Sequence, residues 1–122
     1  MGPEARLYQK IKRDWNEFSF NRLENSSLLG TPDILVYNNN RHFFTIELKV
    51  TKTNKVTFSP HQIAFHVKHP KNTFILVQDA CLKVPKLYEG KDIRELVACG
   101  LKLEACCEGY ESCFRYLEAL GA

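Results

Sequence analysis

Apolar residues recur at helical spacing from the start of the chain. Leu7, Tyr8, Ile11 and Trp15 form one stripe, and Lys10, Lys12 and Arg13 form the other, which predicts a helix over 3–15. Pro3 suits its first turn, and Glu4 complements the positive end of the helix dipole. Glu4 also stands four residues before Tyr8, so it continues the inward stripe. The apolar run 34–37 then reads as a buried strand. Asn38, Asn39 and Asn40 read as a turn, because Asn tolerates the left-handed backbone that tight turns need. Over 43–50 the pattern alternates. Phe44, Ile46, Leu48 and Val50 take one side, and Phe43, Thr45, Glu47 and Lys49 the other. These two runs are expected to pair as an antiparallel hairpin with one face in the core.

The stretch 51–58 is polar and basic. Ser59-Pro60 then opens a helix, with Ser as N-cap and Pro in the first turn, and it runs to about His69 before Pro70. On that helix Gln62, His66 and His69 share one face, and Ile63 and Val67 share another. A second buried strand is expected at 73–78 and a shorter one at 83–88. Helices are expected at 92–98 and 109–120, the last with Tyr110, Cys113, Phe114, Leu117 and Leu120 on its apolar face. The order of elements predicts a mixed α/β class, and the 122 residues suit a single domain.

Composition is that of a globular protein, with 44% hydrophobic and 25% charged residues, which argues against disorder. No run is apolar enough to span a bilayer, and the first ten residues alternate charged and apolar types rather than forming a secretory signal. A cytoplasmic location is expected. The net charge of +3 is unevenly spread: residues 1–86 carry 13 Lys+Arg against 7 Asp+Glu, and residues 87–122 carry 4 against 7. A basic body suits a polyanionic partner, and an ordinary solvated surface fits the modest excess equally well. Five cysteines without paired Cys-x2-4-Cys spacing suggest neither a disulfide framework nor zinc; they read as small buried hydrophobes on the C-terminal helices.

The residues that carry chemistry lie in GTPDILVYNNNRHFFTIELKV, residues 30–50. Asp33 stands at the entrance of one strand, and Glu47 and Lys49 lie two apart on the next, hence on one face. Folding the hairpin can bring Asp33 to Glu47. Two carboxylates beside an ammonium make an incomplete oxygen shell for a hard cation such as Mg²⁺, with Mn²⁺ as a substitute. Such an ion activates water for attack on phosphorus, and Lys49 would orient that water or offset charge in the transition state. Glu-x-Lys on a strand also serves as a solvated cross-strand pair, and Pro-Asp as a turn starter. Here, however, Glu47 and Lys49 interrupt an apolar run deep within a strand. Lys52 and Lys55 follow that strand and can grip backbone phosphate or simply be solvated. His61, His66 and His69 are poor ligands for a hard ion; His66 at most supports the site or faces DNA, and reads more simply as a solvated or satisfied core histidine.

Pro32-Asp33 followed by Glu47-Leu48-Lys49 resembles the PD-(D/E)xK signature of the restriction-endonuclease-like nucleases. With Arg22-Leu23-Glu24, Ser27, Gly30, Ser59-Pro60-His61-Gln62 and His66, residues 4–78 resemble the small stand-alone virus-type replication-repair nuclease (VRR-NUC) branch, found largely in phages. The resemblance implies a mixed sheet flanked by helices and a single nuclease domain over residues 1–122. It implies Asp33 and Glu47 as metal-binding carboxylates, the Leu48 carbonyl as a third ligand and Lys49 as the catalytic lysine. Glu4 would be an outer ligand from the first helix, although it reads equally as a dipole residue. Gln62 would touch the lysine or the scissile phosphate, and Arg22 and Ser27 would contact phosphate.

The function expected from this is a Mg²⁺-dependent DNA endonuclease leaving 5′-phosphate and 3′-hydroxyl ends. The resemblance implies a homodimer acting on four-way (Holliday) junctions in recombination and repair, in the host cytoplasm if phage-encoded. The alternatives are a nicking or restriction-type endonuclease with sequence preference, and a non-catalytic nucleic-acid-binding domain on the same fold.

Overall fold

A computed structural model describes residues 2–23 and 30–122. The chain runs α1 (Pro3–Asp14), β1 (Ser19–Arg22), β2 (Ile34–Tyr37), β3 (Phe43–Thr51), α2 (Pro60–Lys68), β4 (Thr73–Asp79), β5 (Pro85–Glu89), α3 (Ile93–Cys99), β6 (Cys107–Glu108) and α4 (Tyr110–Glu118). The six strands among the described residues lie side by side in chain order in one sheet. Every neighbouring pair is antiparallel except β3 and β4. A parallel pair cannot be joined by a tight turn, so the chain between them crosses over through α2 and sets its N-terminus near the end of β3. The α/β class and the helix-flanked mixed sheet are as expected.

Helices cover the sheet on both sides. One apolar cluster joins Leu7, Ile11 and Trp15 of the N-terminal segment to Ile34, Val36, Phe44, Ile46, Leu48 and Leu76, with Cys113 and Leu117 of α4. Phe18 stacks on Phe114 at 4.9 Å and meets Phe44 edge-on at 6.0 Å, tying α4 to the sheet. The second cluster packs Ile75, Val77 and Tyr88 against Ile93, Leu96 and Val56. The expectation of one buried face for the hairpin is therefore corrected: Glu47, on the side opposite Leu48, is only 2% exposed. Its parallel neighbour is Ile75, and the face they share belongs to the second core.

Two strands lack a sequence signal. β1 (SFNR) is mostly exposed, and β6 has two residues, so neither shows the alternation that marks a half-buried strand. Both are sheet edges, where backbone pairing to β2 and β5 supplies the order. The cysteine expectation also fails in the main. Cys81, Cys99 and Cys106 are exposed and Cys107 is half-buried, because they sit in turns and at element ends; only Cys113 is buried.

The asparagine turn does more than reverse the chain. The left-handed residue there is Arg41 (φ 60°), not an Asn. Asn38 is instead turned inward, where its Oδ1 accepts from Asn40 N at 3.0 Å and His42 N at 3.1 Å. Its Nδ2 donates to Leu117 O at 2.9 Å and Leu120 O at 3.0 Å. One buried amide thus closes the hairpin and satisfies carbonyls at the C-terminal end of α4. Asn38→Ala is expected to destabilise the protein by about 2–4 kcal/mol in urea unfolding, since buried carbonyls lose their donors. A loss under about 1 kcal/mol would show that water replaces the amide.

Candidate active site

The hairpin register brings the two acids together. Ile34 opposes Ile46, so the next positions outward set Asp33 against Glu47 on one face. Asp33 is placed from three sides. Its carbonyl accepts from Leu23 N at 2.8 Å, and its Oδ2 accepts from Leu48 N at 2.7 Å. The loop before it packs on the start of α2: Gly30 has φ +81°, and a Cβ there would lie 2.3 Å from His61 O. Only glycine permits that approach at that backbone angle.

Beyond the end of β2, the β3 backbone would be unpaired on this edge. Side chains take over the pairing. Asp33 accepts from Leu48 N, and Glu4 Oε2 accepts from Val50 N at 3.1 Å. The N–H and C=O of one strand residue point to the same edge, so the Leu48 carbonyl also opens toward Asp33. Glu4 is half-buried, which fits its place on the inward stripe of α1.

Gln62 joins the remaining groups. Its Oε1 accepts from Ser59 N at 2.9 Å, and Ser59 Oγ accepts from Gln62 N at 3.2 Å, which is a complete capping box. The same Oε1 accepts from Lys49 Nζ at 3.2 Å, and Nε2 donates to Glu47 Oε2 at 3.1 Å. The helix cap, the lysine and the buried acid therefore share one amide. Lys49 Nζ also lies 4.8 Å over the Phe58 ring, which holds it beside the carboxylates.

Glu47 Oε1 is buried without a partner. Burial first, then the neighbouring Asp33 carboxyl and the charge of Glu4, push the Glu47 carboxyl up to about 9, with Lys49 acting in the opposite sense. Two carboxyls in contact need a proton between them or a cation in its place. No group of three or more His, Cys, Asp and Glu side chains among the described residues is gathered to hold an ion. The donors present are oxygens only: two carboxylates and a carbonyl. This set fits Mg²⁺, which binds one or two carboxylates and keeps its remaining positions for water and phosphate.

The other expected residues are more scattered. Arg22 ends β1 with its guanidinium 5.3 Å from the Tyr8 ring centre. Lys52 and Lys55 are exposed in the loop after β3. Ser27 lies outside the described residues. His66 is fully buried; its Nδ1 bonds Gln62 O at 2.9 Å, its Nε2 has no partner, and burial pushes its pKa down. It is therefore a core histidine under the Gln62 turn, with one ring nitrogen unsatisfied.

No protein-family model matches this chain, and neither does any curated protein. Among solved structures it is similar to Hjc, a Holliday junction resolvase of the archaeal hyperthermophile Archaeoglobus fulgidus, with a TM-score of 0.57 and 17% identity over 71% of this chain and 77% of that chain. The likeness shows the fold, which is restriction-endonuclease-like.

Proposed function

We propose that this chain is a metal-dependent endonuclease that cuts branched DNA, with Asp33, Glu47 and the Leu48 carbonyl holding the ion. The observation that carries the reading is the hairpin register that sets Asp33 opposite Glu47 and beside Lys49, with a buried Glu47 oxygen left without a partner. When bound there, Mg²⁺ supplies Lewis acidity at a phosphoryl oxygen and an acidified water. The chain's own groups do the rest. Asp33 and Glu47 are held by Leu48 N and Gln62 before substrate arrives. Lys49 faces charge developing on the phosphoryl group. Gln62 fixes the lysine, and Glu4 holds the strand edge and adds an outer oxygen. Arg22, Ser27, Lys52 and Lys55 are the proposed phosphate contacts.

Branch preference is supported by the likeness to a junction resolvase. A homodimer would set two sites across the branch point. The VRR-NUC branch and a phage origin rest on the motif resemblance. No helix among the described residues is long and apolar enough to cross a membrane.

The test offers a four-way junction, a flap and linear duplex with Mg²⁺, Mn²⁺ or Ca²⁺. Paired symmetric cuts in the junction are expected with Mg²⁺ or Mn²⁺, and binding with little cleavage in Ca²⁺. Equal cutting of all three substrates would refute branch preference. Binding without metal-dependent cleavage of any of them would leave a nucleic-acid-binding domain.

A further inference from the structure

Val50 and Gln78 are partners across the β3–β4 pair, on the face opposite Glu47 and Lys49. There, between α1 and the turn that follows β4, lies a cleft of about 460 Å³. Among the described residues four cationic side chains line it, Arg6 and Lys10 from α1, Lys52 from the loop after β3, and Lys83 from the β4–β5 turn, and no acidic side chain does. Of these, Lys10 is paired with Asp14 at 2.7 Å. The floor is different in kind: Leu7, Val50 and the Tyr110 ring.

Two observations show that this arrangement is built by the fold. Tyr110 is fixed from two directions, since its hydroxyl accepts from Gln78 Nε2 at 2.6 Å and Lys10 Nζ lies 4.6 Å over its ring. The turn that brings Lys83 is held as well. Asp79 Oδ1 accepts from Cys81 N at 2.7 Å and Leu82 N at 3.0 Å, and Asp79 O accepts from Lys83 N at 2.7 Å. Lys83 itself takes the left-handed backbone (φ 56°), which is uncommon for a long side chain.

We propose that this cleft is a second strand track, which takes the sugar–phosphate backbone of nucleic acid where it passes over the end of β3 from the candidate active site. Phosphates meet the cationic rim, and a sugar or base covers the apolar floor and Tyr110. Lys52 belongs to both, because it lies at the rim of the cleft and only three residues beyond Lys49. The inference rests on the nuclease reading for the identity of the anion, and it adds Arg6, Lys10 and Lys83 to the surface that reading uses.

The experiment measures affinity for long-armed and short-armed four-way junctions in Ca²⁺, across a salt series, for the wild type and for Lys52→Glu/Lys83→Glu. Both substitutions lie in exposed loops, and Lys83→Glu alone, with a thermal melt for each protein, separates lost binding from lost folding. The double variant is expected to bind the long-armed junction about 10–100-fold more weakly and to lower the log–log salt slope by about 2. A smaller loss is expected on short arms that end before the cleft. Unchanged affinity and slope would overturn the proposal, as would equal loss on both arm lengths. A third arm titrates inorganic phosphate while following the Tyr110 ring by NMR; shifts as large as those from DNA would make the cleft a small-anion site and overturn the strand track. If the wild type binds with this slope but never cuts, the nuclease reading fails and the track stands. If it cuts and the variants bind like wild type, the track alone fails.

Discussion

Replacing Lys49 by Met is expected to slow phosphodiester cleavage by about three orders of magnitude, or ~4 kcal/mol of barrier. The ammonium is fixed by Gln62 Oε1 at 3.2 Å and by the Phe58 ring, so it is in place before charge develops on the phosphoryl group. Preorganised charge of this kind acts without reorganisation during the reaction. Met keeps the length and volume of the stem, which limits damage to the second core. A second effect follows from the same contact. Lys49 is the charge that draws the Glu47 carboxyl down against burial and Asp33. Without it, an entering divalent ion must displace a more tightly held proton, so the pH–rate profile should move to higher pH. Arg should not rescue, because its larger, delocalised guanidinium does not place a compact point charge where the Lys49 ammonium sits. Single-turnover cleavage of a junction from pH 6 to 9, with affinity in Ca²⁺ as control, measures this. A variant retaining more than a tenth of the wild-type rate would make Lys49 a framework residue.

Glu47→Gln is expected to abolish metal-dependent cleavage and, in chelator, to stabilise the protein. An acid whose carboxyl rises from 4.5 unfolded to about 9 folded binds a proton in the native state that the unfolded chain has released. Stability is therefore full below about 4.5, falls as pH rises, and levels off above about 9. By pH 7 the loss amounts to about 3 kcal/mol. Gln keeps the shape of the protonated acid: its oxygen can accept from Gln62 Nε2, and its amide can donate to Asp33. It has no charge to strand, so the melting temperature near pH 8 should exceed that of the wild type by roughly 10 °C, and the gap should close toward pH 4.5. Mg²⁺ should raise the wild-type melting temperature and leave the variant unmoved. Superimposable pH–stability curves for the two proteins in chelator would refute the buried proton.

Taken together, the two variants separate the roles of neighbouring positions on one strand. In the proposed reaction Lys49 acts on the phosphate, and its removal should change rate more than stability. Glu47 is a strained buried acid that a cation relieves, and its removal should change both, in opposite directions. A site in which function requires a group the native state would otherwise reject is a common place for stability to be given up.

Much of this was legible in the order of residues. The alternation over 43–50 and the apolar run 34–37 determined the hairpin and which side chains share a face, because strand side chains alternate. Ser59-Pro60 determined where α2 starts, since an N-cap serine and a first-turn proline need only local geometry. Pro32-Asp33 and Glu47-Leu48-Lys49 marked the candidate site by residue type and spacing, and the hairpin register brings them together. Other features had no local trace. β1 and β6 are strands because a neighbour pairs with them, not because their own side chains alternate. The cysteines misled, since a small apolar residue in a turn looks the same in sequence as one in a core.

By itself, then, the sequence determined which segments are helices and strands in the middle of the chain and which three side chains share a strand end, because those depend on periodicity and short spacings. Tertiary structure alone decided that the Glu47 face is dry, since that takes α2 and α3 on the other side of the sheet. It also decided that Gln62 bridges lysine and acid, that Glu4 caps the strand edge 46 residues away, and that Asn38 holds the end of α4. Each of these is a hydrogen bond between groups distant in the chain. Such bonds depend on where packing brings the two partners together, which no local spacing specifies.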